Sequence, residues 1–282
     1  MDTVESQHPP FVSVSQLASL LGRADAPLVL DVRKAEAYDA GPRLLPGALR
    51  VAPGHVESAA AVLPRGRDIV AYCVHGHEVS QGAVRSLRAA GLGAAYLEQG
   101  VTGWIDACLP TMGKVPDLSL PTTPGRPTLW VTRERPKIDR IACPWLIRRF
   151  VDPTARFLYV PAGEVADVAV REGAIPYDVP NVRISHRGDE GELCSFDALV
   201  ADCGLDDPAL HDLARIVRGA DTGKPELTPQ SPGLLAVSLG LSTCFPDDHA
   251  MLDAGMVVYD ALYAWLRSAR AETHNALLFR KP

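Results

Sequence analysis

Ile69 to Tyr72 (IVAY) is a short run of β-branched, small and aromatic residues that ends in Cys73 and a polar loop, CVHGHEVS. Too short to present a helical face, it suits a buried strand of a parallel sheet. Beyond Ser80 the period becomes helical. Ala83, Val84, Leu87 and Ala90 mark an inward face, Arg85 and Arg88 an outward one, and Gly91 a stop. Ser80 is the expected N-cap. This part of the chain is thereby confined to a strand, a loop and a helix, with Cys73 at the carboxyl end of the strand. There the unpaired amides and the positive end of the helix dipole favour an anion, and they lower a thiol pKa toward a reactive thiolate. The alternative is a buried, inert cysteine.

Two more short strands flank this unit, Leu28 to Val32 (LVLDV) and Ala94 to Leu97 (AAYL). The first leads to Arg33, a run to Tyr38 and the turn Pro46-Gly47-Ala48; the second leads to Gly100 and Trp104. The ordered motifs DVRKAEAY, PGA, CVHGHEVSQGAVRSLRAAG and LEQGVTGW resemble a single rhodanese domain over roughly Val12 to Leu109. That resemblance implies an α/β sandwich, a parallel sheet between helices, whose loop cysteine accepts sulfane sulfur as a persulfide. By position, Cys73 would be the nucleophile. Val74, His75, Gly76, His77, Glu78 and Val79 would form the loop that cradles the transferred group, and Asp31 and Arg33 would belong to the supporting catalytic shell.

Two residues depart from that pattern. Where thiosulfate-using rhodaneses often carry a loop arginine, this chain has Glu78, and a carboxylate repels an anionic donor. Gln99 replaces the first residue of the usual double glycine, leaving Gly100. His75 and His77 would supply hydrogen bonds or partial positive charge to a thiolate, or else remain solvated.

The chain has 282 residues, enough for two domains with their own cores. Its net charge of −6 argues against non-specific nucleic-acid binding. The first ten residues, MDTVESQHPP, are polar, without the apolar stretch of a signal peptide, and no apolar run reaches membrane-spanning length. A cytoplasmic protein with neither nucleic-acid nor membrane partner is expected. The cysteines at 73, 108, 143, 194, 203 and 244 contain no CxxC pair, so neither a disulfide framework nor a zinc ribbon is indicated.

Residues 110–128 (PTMGKVPDLSLPTTPGRPT) are rich in Pro, Gly and Thr and lack periodicity. The expected organisation is a first domain over 1–110, a linker over 111–128 and a second, mainly helical α+β domain over 129–282. The second half opens with a strand at Leu129 to Val131, then a helical pattern with Ile138, Ile141 and Trp145 inward and a helix-disrupting Pro144. Strands follow at Phe157 to Val160, Ile175 to Val179 and Val182 to His186. Helices are expected over Glu164 to Glu172, from a Ser195 cap to Val200, from Pro208 to Ala220, over Gly233 to Leu241 and from Asp247 or Asp248 onward.

The series KIDRIACPWLIRRFVDP, IPYDV, SHRG, CSFDAL, IVRGADT and VVYDALYAWL resembles the chromate-resistance family over roughly Thr128 to Arg267. More narrowly, it resembles the C-terminal domain shared with that family's chromate-responsive regulators. Fused to a DNA-binding module such a domain implies sensing; here its companion is rhodanese-like. Asp139, Asp178, His186, Cys194 and Asp221 fall inside these motifs. A divalent metal or iron is the cofactor that such a carboxylate, imidazole and thiolate set would accept. A structural polar network is the alternative, as is an anion pocket using Arg140, Arg148 and Arg149, since arginine forks match oxyanions. Three functions follow as expectations. The first is a sulfurtransferase or sulfur carrier with a small-molecule sulfur donor or oxyanion and a sulfur-acceptor protein as partners. The second is a silent rhodanese-like domain in a chromate or metal sensor, and the third is two domains fused only for co-regulation.

Overall fold

The computed structural model describes residues 9–189 and 192–272. Of the loose tail expected up to about Pro10, residues 1–8 lie outside the described residues. In the first half the strands are β1 (Phe11–Val12), β2 (Leu28–Asp31), β3 (Arg43–Leu44), β4 (Leu49–Arg50), β5 (Ile69–Tyr72) and β6 (Ala94–Leu97). The helices are α1 (Val14–Leu20), α2 (Ala35–Ala40), α3 (Val56–Ala60), α4 (Glu78–Ala89) and α5 (Gly100–Asp106). Among the described residues, five strands form one sheet in the order β1-β6-β5-β2-β4, every neighbouring pair parallel.

Side chains alternate across such a sheet, and here both faces are covered. Leu28, Leu30, Ile69, Ala71 and Cys73 pack with residues of α3 and α4, whereas Val29, Val70, Tyr72 and Leu97 pack with residues of α1 and α5. Leu30, Val84 and Leu87 are fully buried, each stabilising the fold by about 1.5–3 kcal/mol. At α1, Ser13 and Gln16 make a reciprocal capping box.

Helix α4 departs from expectation at both ends. It begins at Glu78 with His77 in the capping position, so Ser80 lies inside the first turn and is buried. The cause is Gly76, whose φ of +76° turns the chain sharply before the helix. Ala90 is exposed because the helix has already ended, and Gly91 stops it as expected, at φ +80°.

The connecting segment contains β7 (Met112–Gly113), and the second half adds β8 (Leu129–Arg133), β9 (Arg156–Val160) and β10 (Ile175–Pro176). Its helices are α6 (Asp139–Leu146), α7 (Val165–Glu172), α8 (Ser195–Asp202), α9 (Pro208–Asp221), α10 (Ser231–Cys244) and α11 (Asp248–Ala264). The small sheet runs β10-β8-β9, all parallel. Trp145, Phe150, Phe196, Tyr259 and Tyr263 form the aromatic centre of the helical core.

Pro144 neither ends α6 nor stops the chain from coiling on through a π-turn at 147–151. Proline cannot donate to the carbonyl four residues earlier. That carbonyl, of Arg140, instead accepts from the hydroxyls of Tyr159 and Tyr177 at 3.4 and 3.5 Å. Two other expectations fail locally. Residues 182–186 form a single bridge, Tyr177 to Ile184, because Asp178 and Asn181 adopt φ values of +52° and +61° and turn the chain out of a ladder. Helix α8 is capped by Cys194, which exchanges hydrogen bonds with Asp197, so Ser195 is its first residue.

The segment from 111 to 128 is packed against both halves. Strand β7 pairs antiparallel with β3, and Met112, Val115, Leu118 and Leu120 enter the same core as the helices of the second half. Asp206 accepts from the Thr111 amide at 2.5 Å and from Arg43 at 2.6 Å. The Gly47 amide donates to the Phe150 carbonyl at 2.6 Å, and Arg267 donates to the carbonyls of Ala18 and Leu21 at 3.1 Å. At Gly22, φ is +77° and a Cβ would stand 2.4 Å from the Tyr263 ring, so only glycine allows this approach.

Candidate functional site

Two clusters stand at the carboxyl edges of the two parallel sheets, where crevices form beyond strand ends in α/β folds. The first is Cys73. Its sulfur lies 3.2 Å from the Ser80 hydroxyl and also meets the backbone amides of His75, His77 and Ser80. Burial opposes its ionisation, but these donors outweigh that cost and lower the thiol pKa below its ordinary value. The other buried thiols behave oppositely: burial pushes Cys143 and Cys194 well up and Cys203 to about 12.

Two glycines allow the loop to close. A Cβ on Gly76 would stand 2.6 Å from the Leu97 carbonyl oxygen, and one on Gly100 would stand 2.5 Å from the carbonyl oxygens of Cys73 and Val74. Gln99 occupies the position before Gly100 in the left-handed region, at φ +64°. An open cleft of about 460 Å³ exposes the cradle, bounded by Arg33, Cys73, Val74, His75, His77, Glu78 and Val79 among others. Glu78 opens α4 with its side chain exposed at this mouth.

Asp31 and Arg33 lie behind the cleft. Arg33 is 3% exposed and grips the fully buried Asp31 carboxylate through Nε and Nη2, while the Tyr72 hydroxyl donates to the same carboxylate at 2.9 Å. Their bonds join the ends of β2 and β5, so they support the strand that carries Cys73. Ser80 is the residue that sequence reading placed in the wrong role. Its position seven residues after Cys73 carried no distinct signal, because contact between them depends on where the helix starts.

The second cluster draws on distant segments. Asp139 opens α6, Asp178 follows β10, His186 lies on the next loop and Asp221 ends α9. His186 Nε2 is 3.0 Å from Asp221, 3.6 Å from Asp178 and 3.8 Å from Asp139. The Asp221 hydrogen bond is the main cause of a His186 pKa raised to about 9. Asp139 is fully buried, and burial, then the charges of Asp221 and Asp178, push its carboxyl well above the usual range. Its Oδ2 accepts from the Ser195 amide at 2.5 Å. Asp178 is held by Arg133 at 3.2 Å, Arg140 at 3.3 Å and the Ser195 hydroxyl at 2.8 Å. Cys194 neighbours Asp139 but is buried as the cap of α8, and among the described residues the group able to share one ion is Asp139, His186 and Asp221.

The three arginines are not brought into one fork. Arg140 pairs with Asp178, Arg148 with Asp253 at 3.7 Å and Arg149 with Asp260 at 2.8 Å, the last two against α11. The anion pocket expected from them is replaced by three separate ion pairs, because successive helical residues point in different directions.

A cysteine at a strand end, wrapped by the amides of the following loop and helix, defines the first half as a rhodanese-like domain, and residues 13–107 match the rhodanese-like domain family. Residues 130–266 match the ChrB C-terminal domain. The chain thus carries a rhodanese-like domain followed by a ChrB-type chromate-resistance domain. It is 37% identical over 143 residues to Protein ChrB of Cupriavidus metallidurans, a match covering 50% of this chain and 41% of that protein. Among solved structures, a thiosulfate sulfurtransferase from Pseudomonas aeruginosa is 26% identical over 38% of this chain and 20% of its own, with a TM-score of 0.33. A full-length protein from Lactobacillus plantarum is 23% identical over 36% of this chain and 87% of its own, with a TM-score of 0.34. Among the described residues, no helix is long and apolar enough to cross a membrane.

Proposed function

We propose that the rhodanese-like domain is a sulfurtransferase or sulfur carrier acting through a Cys73 persulfide, coupled to the chromate-resistance domain in one packed chain. The observation that carries this reading is the set of donors around the sulfur: one hydroxyl and three amides directed at a thiol in an open cleft. The thiolate attacks the outer sulfur of a persulfide donor. A Cys73–sulfur bond forms, the donor's sulfur–sulfur bond breaks, and the donor departs as a thiolate that takes up a proton. The same amides then hold the outer sulfur anion. Glu78 at the cleft mouth disfavours thiosulfate and favours donors of lower negative charge. The test is intact mass of the full chain after exposure to a small-molecule persulfide. Gain of one sulfur atom, absent in Cys73→Ser, supports the reading; no gain with any donor sinks it. Glu78 also favours a second reading, a rhodanese-like domain silent toward anionic donors within a chromate- or metal-binding protein.

A further inference from the structure

Around His186 the ion pairing is uneven. Asp178 is fully answered, since Arg133 and Arg140 both pair with it and the Ser195 hydroxyl caps its other oxygen. Asp139 and Asp221 then share a single imidazole. Asp221 closes α9, the end of a helix where the dipole disfavours a carboxylate. Asp139 is the more unusual group: it is 0% exposed, its Oδ1 is buried without a hydrogen-bond partner, and the one side-chain donor near the carboxyl among the described residues is the weakly donating Cys194 thiol. A buried carboxylate oxygen left without a strong donor costs free energy unless something else occupies that position.

We infer that Asp139, His186 and Asp221 bind one divalent transition-metal ion, of the Mn²⁺ or Zn²⁺ class, at the carboxyl edge of the second sheet. One ligand atom from each of these residues falls within a mutual separation of 4.8 Å. An ion bound at about 2.0–2.2 Å holds its ligand atoms roughly 3–3.5 Å apart, so the present spacing needs only small side-chain movements to close. Two carboxylates with one imidazole suit these ions better than Cu⁺, which prefers sulfur, or Ca²⁺, which prefers oxygen alone. The next layer of residues is present too. The Ser195 amide orients Asp139, and the Asp178 carboxylate stands beside the imidazole with its own charge already compensated. His186 is 36% exposed, so the ion has a path in and leaves coordination positions open to water or an oxygen ligand. The site stands apart from Cys73 and does not depend on sulfur chemistry there.

The test uses the full chain, stripped by a chelator and titrated with Mn²⁺, with free ion read by electron paramagnetic resonance; exposed thiols interfere little because Mn²⁺ prefers oxygen and nitrogen. One Mn²⁺ per chain is expected, with affinity falling at least tenfold in His186→Ala and in Asp221→Asn, and holding in Asp253→Asn. Near-ultraviolet circular dichroism checks that the aromatic core of each variant is intact. To keep the test independent of any variant's folding, the wild-type chain is also melted with and without Mn²⁺, where the ion is expected to raise the midpoint. A wild-type chain that takes up no Mn²⁺ and melts unchanged overturns the site. So does uptake that folded His186→Ala and Asp221→Asn both leave intact.

Discussion

Cys73 and Asp139 occupy the same kind of place, just beyond a parallel strand and at or near the start of a helix, yet one sits among hydrogen-bond donors and the other among carboxylates. The donors to Cys73 all come from its own loop and helix, within residues 73–80. The groups that surround Asp139 come from residues 178, 186, 195 and 221, on four other segments. A local site of this kind rests on backbone geometry, and glycines protect it. A dispersed site rests on the packing of whole elements, so it is only as exact as the core beneath it.

That difference can be tested by perturbing each support in turn. The largest effect is expected from Asp31→Ala, which leaves the buried Arg33 guanidinium without its partner. Unfolding in urea should show a loss of about 3–5 kcal/mol, since breaking a buried ion pair strands a charge. Next is Gly22→Val, where a branched side chain meets Tyr263 and Phe150 across the seam between the halves. A loss of about 1–3 kcal/mol is expected from such overpacking. Both halves should then unfold at a lower urea midpoint in one transition; two separate transitions would show that the seam does not couple them.

Glu78→Arg converts a repelling carboxylate at the cleft mouth into a guanidinium that pairs with anions. The rate of sulfur loading from thiosulfate should rise roughly tenfold, equivalent to about 1.4 kcal/mol; an unchanged rate would remove Glu78 as the determinant of donor charge. Ser80→Ala removes a donor to the thiolate. Because that bond favours the charged form, the pH midpoint for alkylation of Cys73 should lie below that of an ordinary cysteine in the wild type and move up in the variant. The smallest effect belongs to Arg148→Ala. Its partner Asp253 is 76% exposed, and such pairs contribute about 0–1 kcal/mol. Sulfur loading at Cys73 and Mn²⁺ uptake should both persist in this variant.

How far each site could be read from residues follows the same division. Ile69–Tyr72 and Ala94–Leu97 appear as strands at the expected residues, and Cys73 lies where its run of neighbours required. The caps are less legible in the residues. Ser80 and Ser195 have the residue type of a cap, but Gly76 starts α4 early and Cys194 takes the cap of α8. Asp139, Asp178, His186 and Asp221 were recognisable as metal-competent, with no regular spacing to join them. Arg140, Arg148 and Arg149 were close in sequence and looked like a single cationic group, whereas helical geometry sends them to Asp178, Asp253 and Asp260.

Local periodicity and chemistry by themselves determined the parallel strands, most of the helices and the position of the thiol, because hydrophobic burial and backbone hydrogen bonding act over a few residues and leave a pattern there. Tertiary structure alone decided that residues 111–128 join a core, that Gly22 lies against Tyr263, and that Asp221 meets His186. Those contacts depend on how helices pack and where each one ends, and loop closure over long separations leaves no periodic trace in the chain.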